Sequence, residues 1–195
     1  MMKSVKVDGE DCLAVGIQEP VELEFVGNAG DYFAALNAAA RIRLKGSTGR
    51  FAGDCMTGGE VVVEGDASHG LGFSMYGGTV LVRGNTGGRL CQLNKGGTVI
   101  VCGSAGDSNG LYALGGTLLV CGNSGKDTGA WMVGGTIYVG GKVEGLGPNA
   151  KAVPLQDEDI AFISSLSSQY GLEVQPDRFT KIVPANRRPF YSPRS

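Results

Sequence analysis

The chain has 195 residues, 34 of them glycine, which is about 17 % where roughly 7 % is ordinary. Its 17 basic and 19 acidic residues give a formal charge of −2, which argues against a nucleic-acid or anionic-membrane binder. No apolar run of about 18 residues could span a bilayer, and the glycines follow neither the every-third spacing of collagen nor the composition of a flexible linker.

The opening residues, MMKSVKVDGEDCLAVG, contain no apolar stretch long enough for a signal peptide. A cytoplasmic location is expected, with Cys12, Cys55, Cys91, Cys102 and Cys121 as reduced thiols. Residues 1–21 are read as an N-terminal cap, residues 22–147 as a repeat domain and residues 148–195 as a C-terminal helix and tail.

The repeat shows first in the glycines. Pairs stand at 58–59, 77–78, 96–97, 115–116 and 134–135, each 19 residues after the last. Gly27, Gly46, Gly65, Gly84, Gly103, Gly122 and Gly141 keep the same spacing, as does the series Gly53, Gly72, Cys91, Gly110 and Gly129. Each unit opens with a short β-branched run: RIRLK at 41, EVVVE at 60, TVLVR at 79, TVIVC at 98, TLLVC at 117 and TIYVG at 136. These are strand signals bounded by glycine. A 19-residue unit with such a strand has no room for a crossover helix. Each unit therefore makes one circuit of a coil, and equivalent strands stack in parallel about 4.8 Å apart. The expected fold is all-β: a single-stranded parallel β-helix of about seven rungs, on the order of 30 Å long.

Strand side chains alternate, so pairs such as Ile42/Leu44, Val61/Val63, Val80/Val82 and Val99/Val101 point into the lumen. Met56, Met75, Asn94, Ala113 and Met132 are expected to close it from the opposite wall. Glycine columns mark corners that need φ > 0 or leave no room for a Cβ below the next rung. The outward strand position reads Arg43, Val62, Leu81, Ile100, Leu119 and Tyr138. So long an apolar stripe needs a cover, either the chain's own C-terminus or a partner protein.

After Pro154, a helix is expected from about Asp157 to Tyr170, with Asp157 as N-cap and Gly171 at its end. Ile160, Ile163, Leu166 and Tyr170 form its apolar stripe. The tail DRFTKIVPANRRPFYSPRS is basic, prolyl and aromatic. It either wraps the rod or docks on a partner through Arg187, Arg188, Phe190 and Tyr191.

Chemical motifs are sparse. His69, the only histidine, falls at a corner where other rungs carry Arg50, Gly88, Asp107 and Lys126, as a solvated side chain would. Neither a nucleophile elbow nor a CxxC nor a phosphate-binding loop occurs. Cys102 and Cys121 share a column in successive rungs, close enough for a disulfide, although reduced thiols are expected. The threonine ladder Thr79, Thr98, Thr117 and Thr136 is followed by apolar residues, against an ice-binding face. The strict period of 19 disagrees with hexapeptide acyltransferase helices, and its short rungs disagree with pectinolytic ones.

The units GGEVVVEGDASHGLGFSMYGG and GGTLLVCGNSGKDTGAWMVGG resemble the GXGXG domain over residues 22–141. That domain is known at the C-terminus of the glutamate synthase large subunit and as the C subunit of formylmethanofuran dehydrogenase. The resemblance implies a right-handed β-helix without catalytic, cofactor-binding or metal-binding residues of its own. It further implies a structural subunit of a glutamate synthase-type complex, an oxidoreductase of nitrogen assimilation. FMN and Fe–S clusters would then sit on partners, an amidotransferase and an FMN/Fe–S synthase subunit. The amidotransferase's N-terminal catalytic cysteine has no counterpart in the opening MMKSVKV. The ending FTKIVPANRRPFYSPRS also looks like that of stand-alone glutamate synthase domain proteins. The alternatives are a formylmethanofuran dehydrogenase-type complex with a molybdenum or tungsten partner, and a stand-alone β-helix that binds a ligand. The candidate partner-contact residues are Val62, Leu81, Ile100, Leu119, Tyr138, Arg187, Arg188, Phe190 and Tyr191.

Overall fold

The computed structural model describes residues 4–189. Strands β1 (Ser4–Lys6), β2 (Glu22–Val26), β3 (Arg41–Lys45), β4 (Thr57–Val63), β5 (Gly77–Val82), β6 (Thr98–Val101), β7 (Leu114–Val120) and β8 (Gly134–Val139) pair in sequence order, all in parallel. Leu23, Ile42, Val61, Val80, Val99, Leu118 and Ile137 stand opposite one another in turn, so each circuit consumes 19 residues, with a local register shift only at the starts of β4 and β7. The fold is a β-solenoid of about seven turns followed by a C-terminal helix, α1 (Asp157–Tyr170).

Two further walls complete each rung. The first is a ladder of single bridges, Thr48 to Ala67, Thr86, Ala105, Ser124 and Val143, again 19 residues apart. The second is an arc in which every other residue is left-handed, as in Arg89, Cys91 and Leu93 at φ 60°, 54° and 57°. Left-handed φ costs a non-glycine residue about 1–2 kcal/mol. The conformation turns successive N–H groups alternately toward the two neighbouring rungs. Phe51 and Cys55 donate forward to the His69 and Phe73 carbonyls (3.0 and 2.9 Å), while Gly53 donates back to that of Phe33 (2.9 Å). The arc is a hydrogen-bonded wall without being a sheet.

The two demands expected of the glycine columns coincide at Gly59, Gly78, Gly97, Gly116 and Gly135, where φ is 73–83° and a Cβ would meet a backbone carbonyl oxygen, and weigh differently elsewhere. Gly53, Gly72, Gly110 and Gly129 supply left-handed φ of 63–75°, a conformation that Cys91 adopts at the third place of the series. In the Gly46 column φ is ordinary from Gly46 onward, and at Gly46 itself a Cβ would instead overlap the Gly27 carbonyl oxygen one rung back. The residues that follow this column form an unexpected ladder. The side chains of Asn28, Ser47, Asp66, Asn85, Ser104 and Asn123 each accept from a backbone N–H of the next rung at 2.7–3.0 Å.

The lumen is filled as the alternation requires. Ile42, Leu44 and the Val, Leu and Ile pairs from Val61 to Val139 are buried, with Met56, Met75, Ala113 and Met132 on the opposite wall. Asn94 occupies the same wall at 1 % exposure, and among the described residues its Nδ2 and Oδ1 meet no hydrogen-bonding partner.

The N-terminal segment departs from expectation, since it winds as one more rung instead of lying outside the repeat. Its β1 pairs with β2 at an offset of 20, and Gly9, Cys12 and Gly16 donate to the Asn28, Asp31 and Ala35 carbonyls at 2.8 Å. At the other end the stacking is stopped by a change of direction. Strand β10 (Thr180–Pro184) runs antiparallel to β8 and to β9 (Ala150–Val153), so no parallel edge in register remains after β8.

Helix α1 has the expected span, but its N-cap is Gln156, not Asp157. The Gln156 N–H donates to Asp159 Oδ2 at 2.8 Å, which moves the capping position one residue toward the N-terminus. Gly171 ends the helix in the left-handed conformation at φ 62°.

Candidate functional site

The outward face of the strands is divided between two fates. Leu81, Ile100, Leu119 and Tyr138 form a second core with Ile163 and Leu166 of α1 and with Leu172 and Phe179 beyond it. The first three are fully buried and Tyr138 is 5 % exposed, so in the folded chain they lie beneath its own C-terminal segment. Of the two covers considered for the stripe, the described residues show the intramolecular one. The helix is also latched by polar contacts. Asp159 accepts from Tyr138 Oη at 2.6 Å and from Lys181 Nζ at 2.8 Å. Burial pushes the Asp159 carboxyl up, but hydrogen bonds from Lys181, Tyr138 and the Gln156 N–H outweigh it and hold the group below its ordinary range.

Val62 and Arg43 extend the same column past the helix C-terminus. There, partly buried Val62 and exposed Arg43 border a groove of about 450 Å³ shared with Arg41, Glu60, Arg83 and Tyr170. Its charges are mutually satisfied. Arg43 Nε donates to Glu64 Oε1 (2.7 Å), Tyr170 Oη donates to Glu60 Oε2 (3.0 Å), and Arg83 donates to the Tyr170 carbonyl (2.6 Å).

The opposite flank, beside the left-handed arc, carries several of the most exposed large apolar side chains among the described residues. Tyr76 is 59 % exposed, Leu36 54 %, Leu114 49 %, and Tyr32 and Tyr112 41 % each. Tyr32 stacks on Phe51 at 5.3 Å between ring centroids, and Phe51 meets Phe73 edge-on at 5.9 Å. Beside them a groove of about 730 Å³ is bordered by Arg50, Arg89, His69 and Asp54. His69 is exposed there, as expected of a corner residue. Burial raises the Asp54 carboxyl above its usual range, against hydrogen bonding at Cys55. Lys95 lies over the Tyr76 ring, 4.4 Å from its centroid, and donates to Ser74 Oγ at 2.7 Å. Sequence reasoning did not single out this flank. Its exposed apolar residues fall on three columns that other rungs fill with Gly70, Cys55, Ser74 and Lys95, and period-2 alternation does not operate where the backbone alternates hand.

In the tail, exposed Arg187 borders a third groove of about 610 Å³ with Lys151 and Lys181, next to exposed Arg188. Phe190 and Tyr191 lie outside the described residues. The structure therefore separates the candidate contact residues: a buried group under the helix, Val62 at the helix end, and the arginines at the far end of the rod. Among the described residues, no group of three or more His, Cys, Asp or Glu side chains is placed to hold a metal ion. No helix among them is long and apolar enough to cross a membrane.

No curated protein matched the chain. The family model for the GXGXG motif matches residues 9–164, from the N-terminal rung into α1. Its span covers most of the solenoid whose glycine columns, lumen and left-handed arc have just been described, and on that match the chain belongs to the GXGXG motif family.

Proposed function

We propose that this chain is a non-catalytic scaffold of a glutamate synthase-type complex, with the ammonia-releasing and FMN/Fe–S chemistry carried by partner subunits. The observation that carries the reading, beside the family, is the division of the two flanks. One apolar face is covered by the chain's own helix, while the arc flank leaves Tyr76, Leu36, Leu114, Tyr112 and Tyr32 open to solvent. Exposed apolar residues gathered on one flank of a rigid rod suit a surface that docks on another protein. The structural ladders support the same reading, because they commit polar side chains such as Asn85 and Ser104 to holding rungs together.

The test is reconstitution. The tagged chain is expected to co-purify with a glutaminase-like chain and an FMN/iron–sulfur protein. Glutamine-dependent amination of 2-oxoglutarate by the assembly should require the chain. Tyr76→Glu and Leu114→Glu, both at exposed positions, should preserve folding and abolish assembly. Recovery of a molybdenum or tungsten protein instead would favour the one-carbon redox complex. Turnover by the purified chain alone would overturn the scaffold role.

A further inference from the structure

The outward column next to the buried stripe runs Glu64, Arg83, Cys102, Cys121 and Gly140, one residue per rung. Strand pairing fixes the two cysteines directly over one another. Val101 stands opposite Val120, and Cys121 N–H donates to the Val101 carbonyl at 2.8 Å, as Cys102 N–H does to that of Val82 at 2.9 Å. Adjacent strands are about 4.8 Å apart, inside the 4.4–6.8 Å Cα separation that a disulfide accepts. Both side chains are partly exposed and border a cavity of about 390 Å³ whose rim is Gly171–Val174.

The two ends of this column differ in polarity, and the difference separates the roles of the thiols. On one side of Cys102 stands Arg83, whose guanidinium reaches its Sγ at 4.0 Å and also holds the Tyr170 carbonyl. On the far side of Cys121 stands Gly140, with the Phe179 ring packed against it. A thiolate is favoured beside a guanidinium and disfavoured beside an apolar ring. We propose that Cys102 and Cys121 form a peroxide-oxidisable dithiol in which Cys102 is the attacking thiolate and Cys121 the resolving thiol. The electrostatics agree with this assignment. A hydrogen bond from Cys121, together with the Arg83 charge, brings the Cys102 thiol down to about 6, while the same contact and burial push Cys121 up.

In the first step the Cys102 thiolate attacks hydrogen peroxide. The S–O bond forms, the O–O bond breaks and hydroxide leaves, so sulfur is oxidised and peroxide reduced. In the second step Cys121 gives its proton to that hydroxide and attacks the Cys102 sulfenic sulfur. The S–S bond forms, the S–O bond breaks and a second hydroxide leaves, which takes up the proton that Cys102 lost to solvent on ionising. The sum is two thiols and one peroxide to one disulfide and two waters. An added dithiol such as dithiothreitol reverses it by exchange.

The test treats the full-length chain with dilute hydrogen peroxide at pH 7, followed by alkylation and tryptic mapping. Both cysteines fall in one fragment, residues 96–126, between cleavage sites at Lys95 and Lys126. The expected product is that fragment short of two hydrogens and refusing alkylation at both cysteines, restored by dithiothreitol. It should form at least tenfold faster than any oxidation of exposed Cys12. In Cys121→Ser, Cys102 should persist as a sulfenic acid trapped by a dimedone probe, whereas Cys102→Ser should leave Cys121 unoxidised. Oxidation of Cys12 at a rate equal to or above that of Cys102 overturns the proposal. So does sulfinic or sulfonic acid on Cys102 without the internal bridge. Mapping of the unaltered chain decides between these outcomes even if a variant folds poorly.

Discussion

Ile100→Asp tests whether the C-terminal helix is a separable cover or part of the rod. Ile100 is fully buried in the second core, in the same cluster as Ile163 and Leu166 of α1. Removing a buried aliphatic costs about 2–5 kcal/mol, and an unpaired carboxylate at that place adds a desolvation cost of several kcal/mol. The apolar hold of the helix is of similar size. Its two buried aliphatic residues contribute about 1.5–3 kcal/mol each, or about 3–6 kcal/mol together by the same measure. The substitution is therefore large enough to cancel that hold, and a 14-residue helix without tertiary contacts is marginal in water. The rungs beneath keep their inter-rung hydrogen bonds, which do not involve α1. Amide hydrogen exchange should show the protection of residues 157–170 collapsing, while the Cys121 and Gly122 amides, bonded to the previous rung, stay protected. Retained helix protection would refute the assigned cover. Simultaneous loss of rung protection would show that the cover is integral to the solenoid.

Four more outcomes are expected. The Asp159 carboxyl is held below its ordinary range, so its latch on Tyr138 and Lys181 is fully present above about pH 4 and is lost as the pH falls through the lowered folded value. Chemical denaturation from pH 7 to 3 should show this loss, and Asp159→Asn should remove it along with about 1.5–3 kcal/mol per charged hydrogen bond. Gly46→Ala should destabilise by more than about 1 kcal/mol, because its Cβ meets the rigid Gly27 carbonyl. Gly145→Ala, with ordinary φ and open space around it, should be neutral or stabilising by about 0.4–1 kcal/mol in the same assay. Asn94→Leu replaces a buried, unpartnered amide by an aliphatic group of similar shape and should raise stability by about 1–3 kcal/mol. A lower unfolding midpoint for that variant would show that the amide makes a contact of value.

Those features of the fold that repeat were legible in the sequence, because a solenoid writes each structural demand once per rung. Ile42, Val61, Val80 and Val99 could be placed in one lumen wall before any coordinates, since only one register satisfies a strict period of 19. The helix was legible for a different reason: Gly171 and the run of acidic residues at 157–159 are local signals. What could not be read was whatever depends on backbone hand. Tyr32, Phe51 and Arg89 share one left-handed column yet have nothing chemically in common. Their conformation is imposed by the hydrogen bonds to neighbouring rungs, not by their own preferences. The N-terminal rung escaped notice because its offset is 20 and its Cys12 and Ala14 stand at left-handed positions where a glycine might have marked the turn.

The same separation explains why the outward stripe read as a candidate contact surface and the arc flank did not. A column of Leu81, Ile100 and Leu119 advertises burial, and in a chain that ends in an amphipathic helix it is the helix that answers. Surfaces kept for another protein need not be periodic, because a partner does not repeat every rung. The arc flank has that character. Leu36 and Tyr112 share one column of the 19-residue period and Tyr76 and Leu114 another, but the residues between them, Cys55, Ser74 and Lys95, break each series from rung to rung. On the scaffold function proposed above, in a rod whose rungs are locked by Asn85, Ser104 and their neighbours, broken series of exposed apolar residues let a specific partner be distinguished from a self-stacking copy.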